Sequence, residues 1–369
     1  MPPARTSAAV AAVLLTLTVS SVAGTWILWI WNGGFRGFQD AMAASRLPDG
    51  LQVALEYSGL SIVDEYLRRC VFMTMPVVAR ASKQALLGRP LILVSIVDLS
   101  AAVFVILLEA DRKGGQHGNG RMQTLWAFLW LSAIANLSLA VIIPIYALAN
   151  LTSLVTLQTS GNSLRGVDVL IDLFAVIACL ATPGLMLLDP YNQGWISQST
   201  WLAIFGAFPG SVPLAKIAIQ IVLYLATITL GGGSNQAKKS GLGQSTVQKV
   251  LFGSGLVLSL IRGAAFCYVI FNPHITLREL FTPSFDELRG VTGYSVTCLT
   301  FMKLDYVLSA AAILVIAYHV LAVQFPYHGW VLVLGVCLVG GVFGAGGTLL
   351  LVWSWRESWV TSPSGGVRL

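Results

Sequence analysis

Few acids in this chain fall inside apolar sequence, and those few are the residues with chemistry to offer. Asp98 lies in the run Val94-Ser95-Ile96-Val97-Asp98-Leu99-Ser100, and Glu109 follows eleven residues later. At 100° per residue that spacing returns to nearly the same helix face, about 16 Å along the axis. Asp168 and Asp172 stand four apart at the start of a second apolar run, and Asp305 and Tyr306 follow Lys303 at the start of a third. Glu65 and Arg69, also four apart, belong to a segment of mixed polarity. A carboxyl in apolar surroundings holds its proton and can act as a general acid, so the chemistry on offer is proton transfer. Asp98, Glu65, Asp305 and Asp172 are the candidate proton donors, with Asp98 the deepest in its run. Asp168 and Asp305 also have a structural explanation, because an acid in a first turn complements the helix dipole.

Cations and aromatic rings complete the set. Arg262 is deep in Leu258-Ser259-Leu260-Ile261-Arg262-Gly263. A charge near a bilayer centre costs ~3 kcal/mol or more, so a carboxylate partner is expected. Lys216 lies between Pro213 and Gln220, in a run that Pro209 and Pro213 interrupt. Broken helices occur at membrane depth only where they are buried or line a cavity, so 208–216 is expected to form a cavity wall, with Lys216 on it. Eleven Trp, ten Tyr and sixteen Phe provide π-faces for a developing cation. Tyr306 would present one at the cavity mouth.

What is absent narrows the chemistry. The chain has no HExxH, GxSxG or P-loop, and therefore no zinc-protease, serine-hydrolase or nucleotide-phosphate signature. It also lacks DDxxD, so the Mg²⁺-diphosphate chemistry of UbiA-type prenyltransferases has no ligands. Neither a metal nor a cofactor is expected. The five cysteines are far apart, with no CxxC, which indicates buried hydrophobes rather than zinc ligands or disulfides. The net charge of +6 is spread through the loops, which suits anchoring to lipid headgroups and not nucleic-acid binding.

The elements that must position these residues are set by composition. The chain is 56% hydrophobic and 10% charged, where a soluble domain carries about 25% charged residues. The expected fold is an all-α, polytopic integral membrane bundle of about eight transmembrane helices. These are placed near 8–31, 91–110, 124–149, 168–188, 200–230, 250–271, 303–324 and 330–355. The first is too long for the apolar core of a signal peptide. Residues 1–361 form one membrane domain, and 362–369 a polar, flexible tail. The segment 51–79 holds Glu56, Asp64, Glu65, Arg68 and Arg69; it lies in the interface, enters a polar cavity, or spans. Gly340 and Gly344 are spaced for close helix packing within the protein.

One segment carries a family resemblance. The stretch from Gln198 through Trp201, Ala203, Phe208 and Pro209 to Pro213 resembles a motif of fungal transmembrane terpene cyclases. The nearest kind are those of the ascofuranone, ascochlorin and macrophorin pathways. Thr300 to Tyr306 and Phe281-Thr282-Pro283 look like the same group, whereas Phe205-Gly206 stands where the group usually has Trp-Gln. The resemblance implies a metal-independent cyclase acting on a farnesyl or epoxyfarnesyl chain attached to a phenol or quinol. An acid would protonate an epoxide or alkene, a carbocation would form, and double bonds or a hydroxyl would attack it. On this reading Asp98, Glu65, Asp305 and Asp172 supply the proton, and Tyr306, Trp201, Arg262 and Lys216 contact substrate. The partners are a lipophilic prenylated substrate and the bilayer, and the expected location is the endoplasmic reticulum membrane. The alternative is a transporter or receptor-like protein for a lipophilic molecule.

Overall fold

In lipid, every backbone N–H and C=O must be satisfied internally, which leaves helices as the element for apolar runs of this length. A computed structural model describes residues 3–47, 53, 56–79, 84–117, 120–151, 154, 164–187, 195–229, 244–289, 293–325 and 329–360, and their regular structure is helical. The expected flexible tail at 362–369 lies outside the described residues. In chain order the helices are α1 (Ser7–Trp31, π-helical over Val22–Ile27), α2 (Gly34–Ala44), α3 (Ser61–Val78) and α4 (Ala85–Arg112). Next come α5 (Gly120–Leu137), α6 (Leu139–Ala149), α7 (Gly166–Met186), α8 (Trp195–Gly206) and α9 (Phe208–Thr229). The last are α10 (Gln244–Phe271), α11 (Leu277–Phe281), α12 (Phe285–Arg289), α13 (Tyr294–Gln324) and α14 (Gly329–Val360).

Seven of these, α1, α4, α7, α9, α10, α13 and α14, are long and apolar enough to cross a membrane. The remaining predicted run, 124–149, is divided at Ser138 into α5 and α6. α4 is the most buried of the seven and packs against α3, α5, α7, α10, α13 and α14. The ambiguous segment 51–79 contains the amphipathic α3, which packs against α8 and α13 while leaving Ile62 exposed. Its first turn is tied down by Asp64, which accepts the N–H groups of Tyr57, Ser58 and Gly59 and the Ser58 hydroxyl. Burial pushes that carboxyl up, but these bonds outweigh it and hold it below its ordinary range.

Three helix breaks organise the interior, and each leaves backbone groups that another helix must satisfy. α14 breaks at Gly344 (φ 80°, ψ 167°). Arg262 Nη1 donates to the carbonyls of Gly340 (3.0 Å) and Gly341 (3.2 Å), and Ser259 Oγ donates to Phe343 (2.9 Å). Beyond the break, the Gly346 N–H donates to Asp98 Oδ1 at 2.7 Å. A cation therefore caps the C-terminal end and an anion the N-terminal end, matching the helix dipoles. This corrects one expectation and bears out another. Arg262 serves carbonyls, with its guanidinium 4.4 Å from the Phe266 ring centroid, and makes no described ion pair within 4 Å. Gly340 and Gly344 do permit close packing within the protein, since an added Cβ would lie 2.8 Å from Leu314 and 2.5 Å from Arg262, although Gly344 is itself the break and the two meet different helices.

The second break is Ser138 (φ 86°), where the Ala140 N–H donates to Asp305 Oδ1 (2.8 Å) and Trp26 Nε1 donates to the Leu137 carbonyl (2.9 Å). The third is Ala207, where the Tyr66 hydroxyl donates to the Gly206 carbonyl (2.8 Å). The helix resumes at Phe208 and continues through Pro213 and Lys216. The interruption expected over 208–216 is thus confined to one residue ahead of it: Pro209 falls in the first turn, where its missing N–H has no intrahelical partner, and Pro213 is accommodated inside the helix.

Two ion clusters tie the long helices together. Glu109 receives Arg356 Nη1 at 2.7 Å, and Arg112 pairs with both Glu109 and Glu357, joining α4 to α14. The sequence placed Glu109 at headgroup level; it is 2% exposed, because this network replaces its hydration. Lys216 Nζ lies 2.5 Å from Asp111 and 2.7 Å from Asp172, joining α9 to α4 and α7.

Candidate active site

A cavity of about 650 Å³ opens among α1, α2, α3, α5, α8 and α13, within the 300–1,000 Å³ range of small-molecule sites. Two of the three helix breaks border it: Ser138 and Leu139 on one wall, Phe205, Gly206 and Phe208 on another. Its mouth is marked by Gln39, Glu65 and Arg69, which line it and are partly or largely exposed.

The wall is aromatic because α1 ends in Trp26 and Trp29 and the chain then turns at Asn32-Gly33-Gly34 to bring back Phe35 and Phe38. Gly34 abuts the Trp29 indole so closely that a Cβ there would overlap it. Trp29 is the hub, with Phe301 at 5.5 Å, Phe35 at 5.6 Å, Phe38 at 5.7 Å and Trp26 at 5.9 Å between ring centroids. Such tilted and edge-to-face rings offer π-density to a cation.

Among the described acids, Glu65 and Asp305 line the cavity. Asp305 is half-buried and fixed by the Ala140 N–H. Glu65 stands at the mouth, where its Oε1 accepts Arg69 Nε (3.2 Å) and Nη2 (3.1 Å), with Arg68 Nη1 at 3.9 Å from Oε2. Two further protic groups of α3 face the cavity. Burial, reinforced by Cys70, raises Tyr66 far above the ordinary phenol range. Burial pushes the Cys70 thiol up to about 11, so it is no nucleophile at neutral pH.

The other candidates lie elsewhere. Asp98 is fully buried and turned toward the α14 break, while its neighbour Leu99 faces the cavity. Tyr306 stacks on Phe281 at 5.2 Å, with its hydroxyl within electrostatic reach of Asp98 and Arg262. Arg262 belongs to the same group. Trp201 is half-buried against the apolar cluster that includes Leu67, Phe72 and Leu202. Lys216 and Asp172 are joined in their ion cluster. The structure thus brings Glu65 and Asp305 together around one cavity and distributes the rest over helix junctions. Sequence reasoning missed Trp29, Phe35, Phe38 and Tyr66. Trp26 to Trp31 reads as an interfacial belt, and the Gly-Gly turn followed by Phe35 and Phe38 at i,i+3 was the available signal.

Among the described residues, no group of three or more His, Cys, Asp or Glu side chains is placed to hold a metal ion.

The CtvD domain matches residues 10–361 of the chain. Terpene cyclase rstn5 of Aspergillus nomiae is 25% identical over 361 residues, covering 96% of this chain and 95% of that protein. Terpene cyclase resF of Aspergillus sclerotiorum is 25% identical over 369 residues, covering 95% of each. No solved structure matches.

Proposed function

The chain belongs to the CtvD-domain family, and we propose that it is a membrane terpene cyclase that starts a carbocation cyclisation by proton donation from Asp305. The observation carrying this reading is a carboxyl held rigidly on the wall of an aromatic, largely apolar cavity. The substrate is a prenylated phenol or quinol with a farnesyl or epoxyfarnesyl chain, whose apolar length suits the ring-lined interior. Asp305 gives its proton to the epoxide oxygen, and the C–O bond breaks toward the more substituted carbon; on an unoxidised chain the proton adds to the terminal alkene instead. The cation formed is attacked by a neighbouring double bond or by a hydroxyl of the same molecule. Loss of a proton to the Asp305 carboxylate ends the reaction and restores the acid. Atoms balance as an isomerisation, with no redox partner required.

Trp29 and Phe301 stabilise the travelling charge through their faces. The Ala140 N–H keeps the Asp305 carboxyl aimed, so no reorganisation is needed when charge develops. Glu65 is already occupied by guanidinium donors, and its place at the mouth suits the polar head of the substrate.

The test is expression in a host fed prenylated phenols with and without a terminal epoxide, followed by product analysis. Asp305→Asn is expected to lower turnover about 10²-fold or more at unchanged protein level, the scale of a lost general acid. Loss confined to Glu65→Gln would move the donor to Glu65. Full activity in both variants would refute a carboxyl-initiated mechanism.

A further inference from the structure

The cavity mouth has a charge arrangement that the cyclisation itself does not use. α3 presents Arg69 there, 59% exposed at its side chain, and Gln39 of α2 lines the same cavity. Arg69 directs Nε and Nη2 to a single oxygen, Glu65 Oε1. No described bond engages Nη1. The guanidinium therefore keeps donors for an incoming acceptor while Glu65 holds its plane. The interior is lined by Trp29, Phe208 and Phe301 and by the Asp305 carboxyl, with Tyr66, Thr74, Asn136 and Ser138 as its other polar side chains, and no described cation besides Arg69 is on the lining.

We propose that Arg69 is the head-group anchor of this cavity, selecting substrates whose ring carries an anionic oxygen, a carboxylate above all, and orienting the prenyl chain inward toward Asp305. The inference rests on the cyclase reading for the direction of the chain, but the binding preference stands without it. Two arguments support an acidic head over a neutral one. A guanidinium binds a carboxylate through two parallel N–H donors, a fit that a lysine or an amide does not reproduce. The placement of charge also favours one orientation, because turning the molecule round would take its carboxylate away from Arg69, the one described cation on the lining, and set it with the Asp305 carboxyl and the aromatic rings. Glu65 then acts as a positioning residue: it fixes Arg69 and also competes with the ligand for it.

The decisive measurement is binding, made on the full chain in nanodiscs. The probes are two unreactive ligands with the same saturated farnesyl chain, one on a hydroxybenzoate and one on its methyl ester. The wild type is expected to prefer the carboxylate. Arg69→Met should weaken the carboxylate about tenfold or more, the loss of a charge-assisted hydrogen bond, and leave the ester unchanged. Arg69→Lys should restore part of the loss, and Glu65→Gln should tighten carboxylate binding by removing the competitor. Equal binding of both ligands by the wild type, or an equal loss of both in Arg69→Met, would overturn the anchor. Binding preference without turnover of the matching epoxide would refute the cyclase reading and leave the anchor in place.

Discussion

Replacing Asp98 separates a buried acid that does chemistry from one that closes a helix break. Its Oδ1 accepts the Gly346 N–H at 2.7 Å, and the residue is completely buried. Asp98→Ala removes the acceptor and leaves a buried N–H unsatisfied, a cost of about 1–3 kcal/mol. It also deletes the anion at the start of the second half of α14, which faces Arg262 across the break. Losing a favourable charge at a partly buried helix terminus adds up to ~2 kcal/mol, so the total is about 3 kcal/mol. Against a whole stability of roughly 5–15 kcal/mol this is large. Asp98→Asn keeps an amide oxygen in the same place and loses only the charge, about 1 kcal/mol. Both variants should be purified in detergent, unfolded thermally, and assayed for product per folded molecule. The expected order of stability is wild type, Asn, Ala, with Asn turning over at close to the wild-type rate because Asp98 does not reach the cavity. A stable Asp98→Asn protein with turnover reduced 10²-fold would refute this placement and make Asp98 the acid.

Further outcomes follow from the Gly344 break and from the ion network that joins α4 to α14. Gly344→Ala forces a side chain into φ 80°, with its Cβ 2.5 Å from Arg262 Cδ, and should cost about 2 kcal/mol or more. Gly341→Ala meets open space and should be close to neutral in the same unfolding assay. Arg356→Met leaves Glu109 and Glu357 buried with Arg112 as their remaining described cation, which should cost about 3–5 kcal/mol and lower the yield of folded protein. The double change with Glu109→Gln should recover part of that loss; no recovery would show that the network is not coupled.

The bundle was legible because composition and run length answer a single physical question, whether a segment can satisfy its backbone in lipid. Arg262 was legible as a residue that needed a partner, but not which partner. A guanidinium can satisfy carbonyls as well as carboxylates, and nothing local announces that Gly344, one glycine among several, takes φ 80°. For Asp98 a related division holds. Depth in an apolar run establishes burial, whereas reaching the cavity depends on which way the side chain points, and Leu99 rather than Asp98 faces it. Ser138 gave little warning either, since the run 124–149 is apolar but for a few small polar residues and Pro144, and at its division the Ala140 N–H is accepted by Asp305, 165 residues away. Glu65 and Arg69 were found because their spacing pairs them on any helix.

The breaks also explain why the cavity has the polar groups it has. A continuous helix hides its amides and carbonyls, so a cavity among continuous apolar helices would contain nothing to aim a substrate or a proton. At Ser138 the freed N–H of Ala140 and carbonyl of Leu137 hold Asp305 and Trp26, both on the cavity wall. At Ala207 the freed Gly206 carbonyl holds Tyr66, also on the wall. Each of these side chains is fixed by a backbone group that cannot swing away, which is the rigidity an acid and a cation-stabilising ring require. The break at Gly344 uses the same device away from the cavity, and there the captured groups, Asp98 and Arg262, join helices instead of lining a site. A capping acid at a helix break is therefore structural by origin, and it becomes a candidate catalyst only where the break opens onto a cavity, as it does for Asp305.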